Sequence, residues 1–126
     1  MAFQTEWIVE PYIISTTFTG RTSVHDMKMA MLEYLGAAQQ EQNLYILMDF
    51  MGAENVPNKL LDMPILAQII NHGNTRWLVI AKEAADSSYM TQFLMRDKVK
   101  TVRSREEAIK FLVAMMKLEM SGDNTT

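Results

Sequence analysis

The sequence predicts an α/β fold in which helices pack on a mixed, mostly parallel sheet. Apolar runs of strand length alternate with segments whose apolar residues recur every three or four positions, as on one helix face. This alternation requires crossover connections and therefore parallel strands. The break between the first two strands is too short for a crossover, so the first strand is expected to be antiparallel. In a chain of 126 residues, we expect one domain over residues 1–120 and a flexible tail over 121–126.

Strand-forming and capping residues predict the first three elements. Aromatic and β-branched residues predict strands at Phe3–Val9 and Tyr12–Thr19, separated by Glu10–Pro11. Ser23 is predicted to cap a helix over Val24–Gln40. The apolar face of that helix is expected to contain Val24, Met27, Met31, Leu35 and Ala38.

The middle of the chain is predicted to contain a central strand followed by a short helix. Leu44–Phe50 is an almost continuous apolar run, which is typical of a strand covered on both faces. Asp62 is expected to cap the helix, with Pro64 in its first turn. That helix is predicted to run to His72 and to end with Gly73 in the left-handed conformation.

Three further elements are predicted in the second half of the chain. Trp77–Ala81 is an apolar strand, and Val99–Val102 is a short strand. Between them, Asp86 or Ser87 is expected to cap a helix over Tyr89–Met95.

The last helix is predicted from its own capping signal. Ser104 and Glu107 are spaced as in a capping box, and the helix extends to Met120. The complete predicted order is β-β-α-β-α-β-α-β-α.

Composition narrows the range of functions. The absence of cysteine excludes thiol nucleophiles and thiolate zinc sites. A net charge of −3 argues against nucleic acid as the partner. The positive residues between Arg96 and Arg105 are interpreted as a solvated edge strand and helix start. Neither a signal peptide nor a membrane span is evident, so a cytoplasmic protein is expected.

No catalytic residue, metal site or cofactor is predicted. His25 and His72 have no carboxylate or second histidine at ligand spacing. The five glycines are isolated and form no phosphate-binding pattern. The sequence therefore predicts a protein that is not an enzyme.

The end of the central strand is a candidate binding surface. Ligands of open parallel sheets bind beyond the carboxyl ends of the strands, where Asp49 and Phe50 lie. Asn55 and Asn58 follow in the next loop. The alternative, which we favour, is that the Asp49 carboxylate accepts hydrogen bonds from loop or helix-start amides and is structural.

Ser87 and Ser88 complete that candidate surface. They follow Asp86 at a predicted helix start, where free amides would stabilise a phosphoryl group. An ordinary N-cap explains the same residues and is the favoured interpretation.

The chain has twelve methionines, which are interpreted mainly as ordinary core, with an apolar pocket as the less favoured interpretation. Unbranched thioether side chains adapt to varied nonpolar ligands or partners. The buried face of a homodimer is a further alternative. The candidate pocket consists of Met27, Met31, Leu35, Met90 and Phe93.

Four segments carry a resemblance to a known superfamily: STTFTGRTSVHDM, YILMDFMG, WLVIAKE and VKTVRSREEAIKFL. Their order and spacing, over Trp7 to Leu112, resemble the STAS superfamily and especially its SpoIIAA-like branch, grouped with anti-sigma factor antagonists and lipid-carrier domains. The resemblance implies the STAS fold and matches Asp49 to the aspartate that ends the central strand. In phospho-switch members, an Asp-Ser pair at the next helix start carries the regulated serine. Residues 52–64 contain no serine or threonine here, so no such switch is expected there.

The leading hypothesis is a bacterial, non-enzymatic regulatory or protein-interaction module that acts through the surface near the end of the central strand. The alternative is a carrier or sensor of a nonpolar, lipid-like small molecule held between the sheet and the methionine-bearing helices. The expected partner is thus a protein or a nonpolar small molecule, and a homodimer is a further possibility.

Overall fold

The computed structural model describes residues 3–40, 42–54, 63–83 and 98–123. These residues form a five-stranded sheet with strand order β1-β2-β3-β4-β5. The strands are β1 (Phe3–Val9), β2 (Ile13–Gly20), β3 (Leu44–Ala53), β4 (Thr75–Ala81) and β5 (Val99–Val102). The helices are α1 (Val24–Ala38), α2 (Pro64–Asn71) and α3 (Arg105–Asp123).

The pairing of the strands confirms the predicted α/β class and mixed sheet. β1 is antiparallel to β2, and the three other neighbouring pairs are parallel. The bounds of β1 and β5 are those predicted, and β2 is shifted by one residue. β3 continues three residues beyond the predicted end, to Ala53, because it goes on pairing with β2 through Gly52 and Ala53.

β3 occupies the centre of the sheet, as its apolar run predicted. All residues from Leu44 to Phe50 are buried, and the apolar residues up to Met48 alternate between two hydrophobic cores. Ile46 and Met48 belong to the core beneath α1 and α2, whereas Tyr45 and Leu47 belong to the core beneath α3. The strand is therefore covered on both faces.

Two helices begin with side-chain caps. Ser23 caps α1: its Oγ accepts from the Asp26 amide at 3.1 Å, and an Asp26 oxygen accepts from the Ser23 amide at 3.2 Å. The predicted cap is confirmed and is a complete capping box. At α3, Ser104 Oγ accepts from the Glu107 amide at 3.1 Å. The Glu107 carboxylate accepts instead from the Arg103 amide at 3.2 Å, so only half of the predicted box has its expected partner.

The ends of α2 differ from the prediction. Met63 is the N-cap and makes no side-chain cap, while Pro64 occupies the first turn as expected. Asp62, the predicted cap, lies outside the described residues. Gly73 was predicted to be left-handed, but Gly20 is the one glycine of the described residues with a positive φ.

Hydrogen bonds of the turn after α2 explain why Gly73 needs no left-handed conformation. His72 Nδ1 accepts from the Asn74 amide at 3.1 Å, and the His72 carbonyl accepts from the Thr75 amide at 3.1 Å. The Asn74 side chain donates to the carbonyls of Ala38 and Gln40 at 2.8 and 2.7 Å. These hydrogen bonds stabilise the turn, so α2 ends without the common C-terminal cap in which a glycine adopts the left-handed conformation.

The predicted C-terminal tail and the predicted helix before β5 have different outcomes. α3 continues to Asp123, three residues into the predicted tail. The predicted helix Tyr89–Met95, with its cap Asp86 or Ser87, lies outside the described residues. Within the described part of the chain, no helix has the length and apolar character needed to cross a membrane.

Candidate functional site

Asp49 lies at an irregularity in the pairing of β2 with β3. Thr17 pairs with Asp49, and Thr19 pairs with Gly52, so β3 has one extra residue there and forms a bulge. Asp49 Oδ1 accepts from the Met51 amide inside this bulge at 2.9 Å. A bulge interrupts the regular ladder, and the carboxylate supplies an acceptor for the amide. This bond agrees with the structural role predicted for Asp49.

The second partner of Asp49 is Arg105, the first residue of α3. Arg105 Nη1 donates to Asp49 Oδ2 at 3.3 Å, to Ser15 Oγ at 2.9 Å and to Thr17 Oγ1 at 3.3 Å. Its Nη2 donates to Glu6 Oε1 at 3.2 Å. These five residues, here called the Arg105 cluster, connect three strands to α3.

The two ion pairs of the Arg105 cluster differ in how far they are exposed to water, and this difference decides which of them contributes more to stability. The side chain of Asp49 is 5% exposed, whereas those of Arg105 and Glu6 are 32% and 55% exposed. Water screens the contact with Glu6, so that contact contributes little. Asp49, however, would be a buried charge without a cationic partner if Arg105 were removed, so loss of this contact is expected to destabilise the protein.

Sequence reasoning missed Arg105 as a functional partner and assigned it to the solvated positive cluster. Arg105 is separated from Asp49 by 56 residues, so no local pattern connects the two. The sequence did contain one indication of such a partner. Ser15 and Thr17 are two residues apart in β2 and so lie on the same face of the strand, and buried hydroxyl groups require a polar partner.

The described members of the candidate binding surface face inward. Asp49 and Phe50 are each 4% exposed. The Phe50 ring stacks on that of Phe18, with centroids 4.6 Å apart and an interplanar angle of 7°. The four other members, Asn55, Asn58, Ser87 and Ser88, lie outside the described residues.

The described members of the candidate apolar pocket belong to the core beneath α1 and α2. Met27 and Met31 are fully buried, and Leu35 is partly buried against the same cluster. Their side chains fill space between α1 and the sheet. Met90 and Phe93 lie outside the described residues.

Neither histidine belongs to a metal-binding group within the described residues. His25 is exposed in the first turn of α1, and His72 accepts the hydrogen bond from Asn74. No set of three His, Cys, Asp or Glu residues in the described part of the chain could hold a metal ion.

Tyr34 carries a perturbed pKa at the inner face of α1. Its side chain is 1% exposed, and burial raises the pKa of its phenol; the Glu33 carboxylate adds to this rise, and the nearby Thr16 hydroxyl opposes it. No described residue forms a hydrogen bond of normal geometry with the phenol oxygen. The Thr16 hydroxyl is instead hydrogen-bonded to the Thr5 hydroxyl, with 3.0 Å between the two Oγ1 atoms. Tyr34 is therefore a neutral core residue at physiological pH.

The large exposed apolar side chains gather mainly beside α1. Trp7 on β1, Met29 and Leu32 on α1 are 37%, 43% and 46% exposed. Met29 and Leu32 are three residues apart and are neighbours on the helix surface. Trp7 and Gly36 line an open groove between α1 and the β1–β2 turn, and Gly36 follows Leu32 by four residues in α1. We call Trp7, Met29 and Leu32 the α1 outer surface.

No family model matches this chain, and no curated protein matches its sequence.

Proposed function

We propose that this chain is a non-enzymatic STAS-like interaction module that binds a protein partner through the α1 outer surface. The observation that carries this proposal is the exposure of three large apolar side chains, Met29 and Leu32 as neighbours on α1 and Trp7 on β1. Single exposed apolar residues are common on proteins, but a group of them marks an interaction surface. Aromatic residues and methionine are also enriched at the centres of interfaces.

The bonds made by Asp49 support a surface away from the end of the central strand. Both oxygens of its carboxylate have partners, Met51 and Arg105. A ligand there would have to displace these bonds and expose a buried ion pair. α1 presents apolar atoms to water, so a partner that covers them gains hydrophobic free energy without breaking an internal bond.

The mixed sheet supports the STAS-like part of the proposal. Its antiparallel first strand, central β3 and covering helices on both faces suit the resemblance in the segments from Trp7 to Leu112. Regulation of the module would not use phosphorylation between residues 52 and 64, where no serine, threonine or tyrosine occurs. Phosphopeptide mapping of protein from its native cells tests this point, and a regulated phosphate at Ser87 or Ser88 would identify a different switch.

Two matched leucines provide the test of partner binding. Leu32 on α1 and Leu118 on α3 are both exposed, at 46% and 65%, and their helices cover opposite faces of the sheet. Tagged wild-type protein, Leu32→Gln and Leu118→Gln would be purified from the native cells and analysed by native mass spectrometry. We expect a stoichiometric protein partner with the wild type and with Leu118→Gln, and its loss with Leu32→Gln.

Other outcomes of that experiment contradict the proposal in different ways. Equal retention of the partner by all three proteins would mean that α1 is not the binding surface. A co-purified nonpolar small molecule in place of a protein would favour the carrier alternative. Thermal melting of each variant checks that the substitutions leave the fold intact, as expected for exposed positions.

A further inference from the structure

An open groove of about 480 Å³ lies between the β1–β2 turn and the last turns of α1. Its apolar lining includes Trp7, Ile14 and Ala37. Gly36 lies on the same side, where an added Cβ would meet no atom within 4 Å, so the helix surface is flat at that point. The groove can therefore receive the stem of a long side chain against an indole and aliphatic atoms.

Two carboxylates, Glu10 and Glu33, also line this groove. Both side chains are exposed, and neither forms an ion pair with a described cation. They come from different elements, the β1–β2 turn and α1. An apolar groove that carries two uncompensated negative charges is complementary to a group with an apolar stem and a positive head.

We propose that the groove binds a lysine or arginine side chain presented by a basic, amphipathic segment of the protein partner. This inference rests on the proposed function and specifies the chemistry of the partner. The aliphatic stem lies against Trp7 and Ile14, and the cationic head is held by Glu10 and Glu33. The exposed Trp7 indole adds a cation–π attraction. Within this chain, Lys100 already makes such a contact, with its Nζ 5.0 Å from the centroid of Phe111.

Charge argues against two other occupants of the groove. A second copy of this chain, bound symmetrically, would bring its own Glu10 and Glu33 towards the same carboxylates. Like charges brought together at an interface disfavour the complex, which is one way in which proteins exclude wrong partners. A phosphate-bearing surface would be repelled for the same reason. A basic segment gains from these charges, and the net charge of −3 adds to its attraction.

The test uses a short amphipathic peptide of leucine and lysine, and the same peptide with its lysines acetylated. Acetylation keeps the stems and removes the charge. Calorimetry measures the affinity for each peptide. The NMR resonance of the Trp7 indole N–H shows whether the peptide binds at the groove. We expect the basic peptide to shift that resonance and the acetylated peptide to bind at least about tenfold more weakly.

Two double variants with the same change in charge separate the groove from general attraction. Glu10→Gln with Glu33→Gln removes both groove carboxylates, and we expect about tenfold weaker binding of the basic peptide. Glu54→Gln with Glu83→Gln neutralises two exposed carboxylates at the opposite end of the sheet and should leave the affinity within about twofold. Equal weakening by both pairs, or an unshifted Trp7 resonance, would overturn the inference.

Failure of this inference is distinguishable from failure of the proposed function. If Leu32→Gln releases a protein partner and the groove variants change nothing, the module binds through α1 without using these carboxylates. If Leu32→Gln releases no partner, the proposed function fails whatever the peptide does.

Discussion

At the end of the sheet where the parallel strands finish, Asp49 is 4% exposed and is bonded to Met51 and Arg105. At the end where those strands begin, Glu10 and Glu33 are exposed beside a groove and have no described cationic partner. The first carboxylate is used within the fold. The other two are left available to water or to a partner. Burial and partners, rather than residue type, thus separate structural carboxylates from candidate recognition groups.

The largest effect is expected from Arg105→Met. The substitution leaves the Asp49 carboxylate buried without its guanidinium, so the free energy of unfolding should fall by about 3 kcal/mol. Urea denaturation measures this change. Glu6→Gln is the control, because the Glu6 side chain is 55% exposed and its loss should cost less than about 1 kcal/mol. A similar loss in both variants would mean that Asp49 is not the critical partner.

Asp49→Asn should have a smaller effect than Arg105→Met. The amide keeps an acceptor for the Met51 N–H but loses the charge that Arg105 meets. Arg105, which is 32% exposed, remains hydrated and bonded to Glu6. We expect a loss of about 1–2 kcal/mol in the free energy of unfolding. Unchanged stability together with lost partner binding would make Asp49 a recognition residue and reverse the contrast between the two ends.

Two glycines, one at each end, should respond to alanine with opposite signs. Gly20 has φ = +64°, a conformation that L residues avoid, so Gly20→Ala should destabilise the protein by about 1 kcal/mol. Gly36 lies within α1, and Gly36→Ala should stabilise the protein by about 1 kcal/mol through helix propensity. Added methyl groups meet no atom within 4 Å at either position, so backbone conformation is the variable. Thermal and urea unfolding measure the stability of both variants. A change in the same direction for both would contradict this prediction.

The smallest effect is expected at the groove. Glu10→Gln with Glu33→Gln should change the free energy of unfolding by less than about 0.5 kcal/mol, since exposed carboxylates without partners contribute little to stability. The same variant should weaken binding of a basic peptide. A large loss of stability would show that these carboxylates belong to the fold, and the two ends would then not differ.

Local patterns predicted much of the fold. The apolar run at Leu44–Phe50 located the central strand, and Ser23 located the start of α1, because both depend on neighbouring residues. The extension of β3 to Ala53 was missed because Gly52 and Ala53 have no strand preference of their own. Their pairing with Thr19 and Gly20 of β2 decides their conformation.

The candidate site was less predictable than the fold. Asp49 was identified from its place at a strand end, but its pairing with Arg105 depends on where α3 packs. The groove joins Trp7 and Glu10 to Glu33 and Gly36, which come from separate elements. The spacing of these residues in the sequence does not indicate that the folded chain brings them together. The buried state of Met27 and Met31 follows from helix periodicity, which by itself does not distinguish core from pocket.

The position of α3 in the chain has a consequence for how the protein emerges from the ribosome. α1 and α2 lie between strands in the chain, so one face of the sheet can be covered while synthesis continues. Tyr45, Leu47 and Val79 on the other face pack with Ala108, Leu112 and Met116 of α3. Those partners are translated after every described strand, so this apolar face stays bare until late in synthesis. Exposed apolar surface makes partly folded chains prone to aggregate, so we expect chaperones to be needed at that stage.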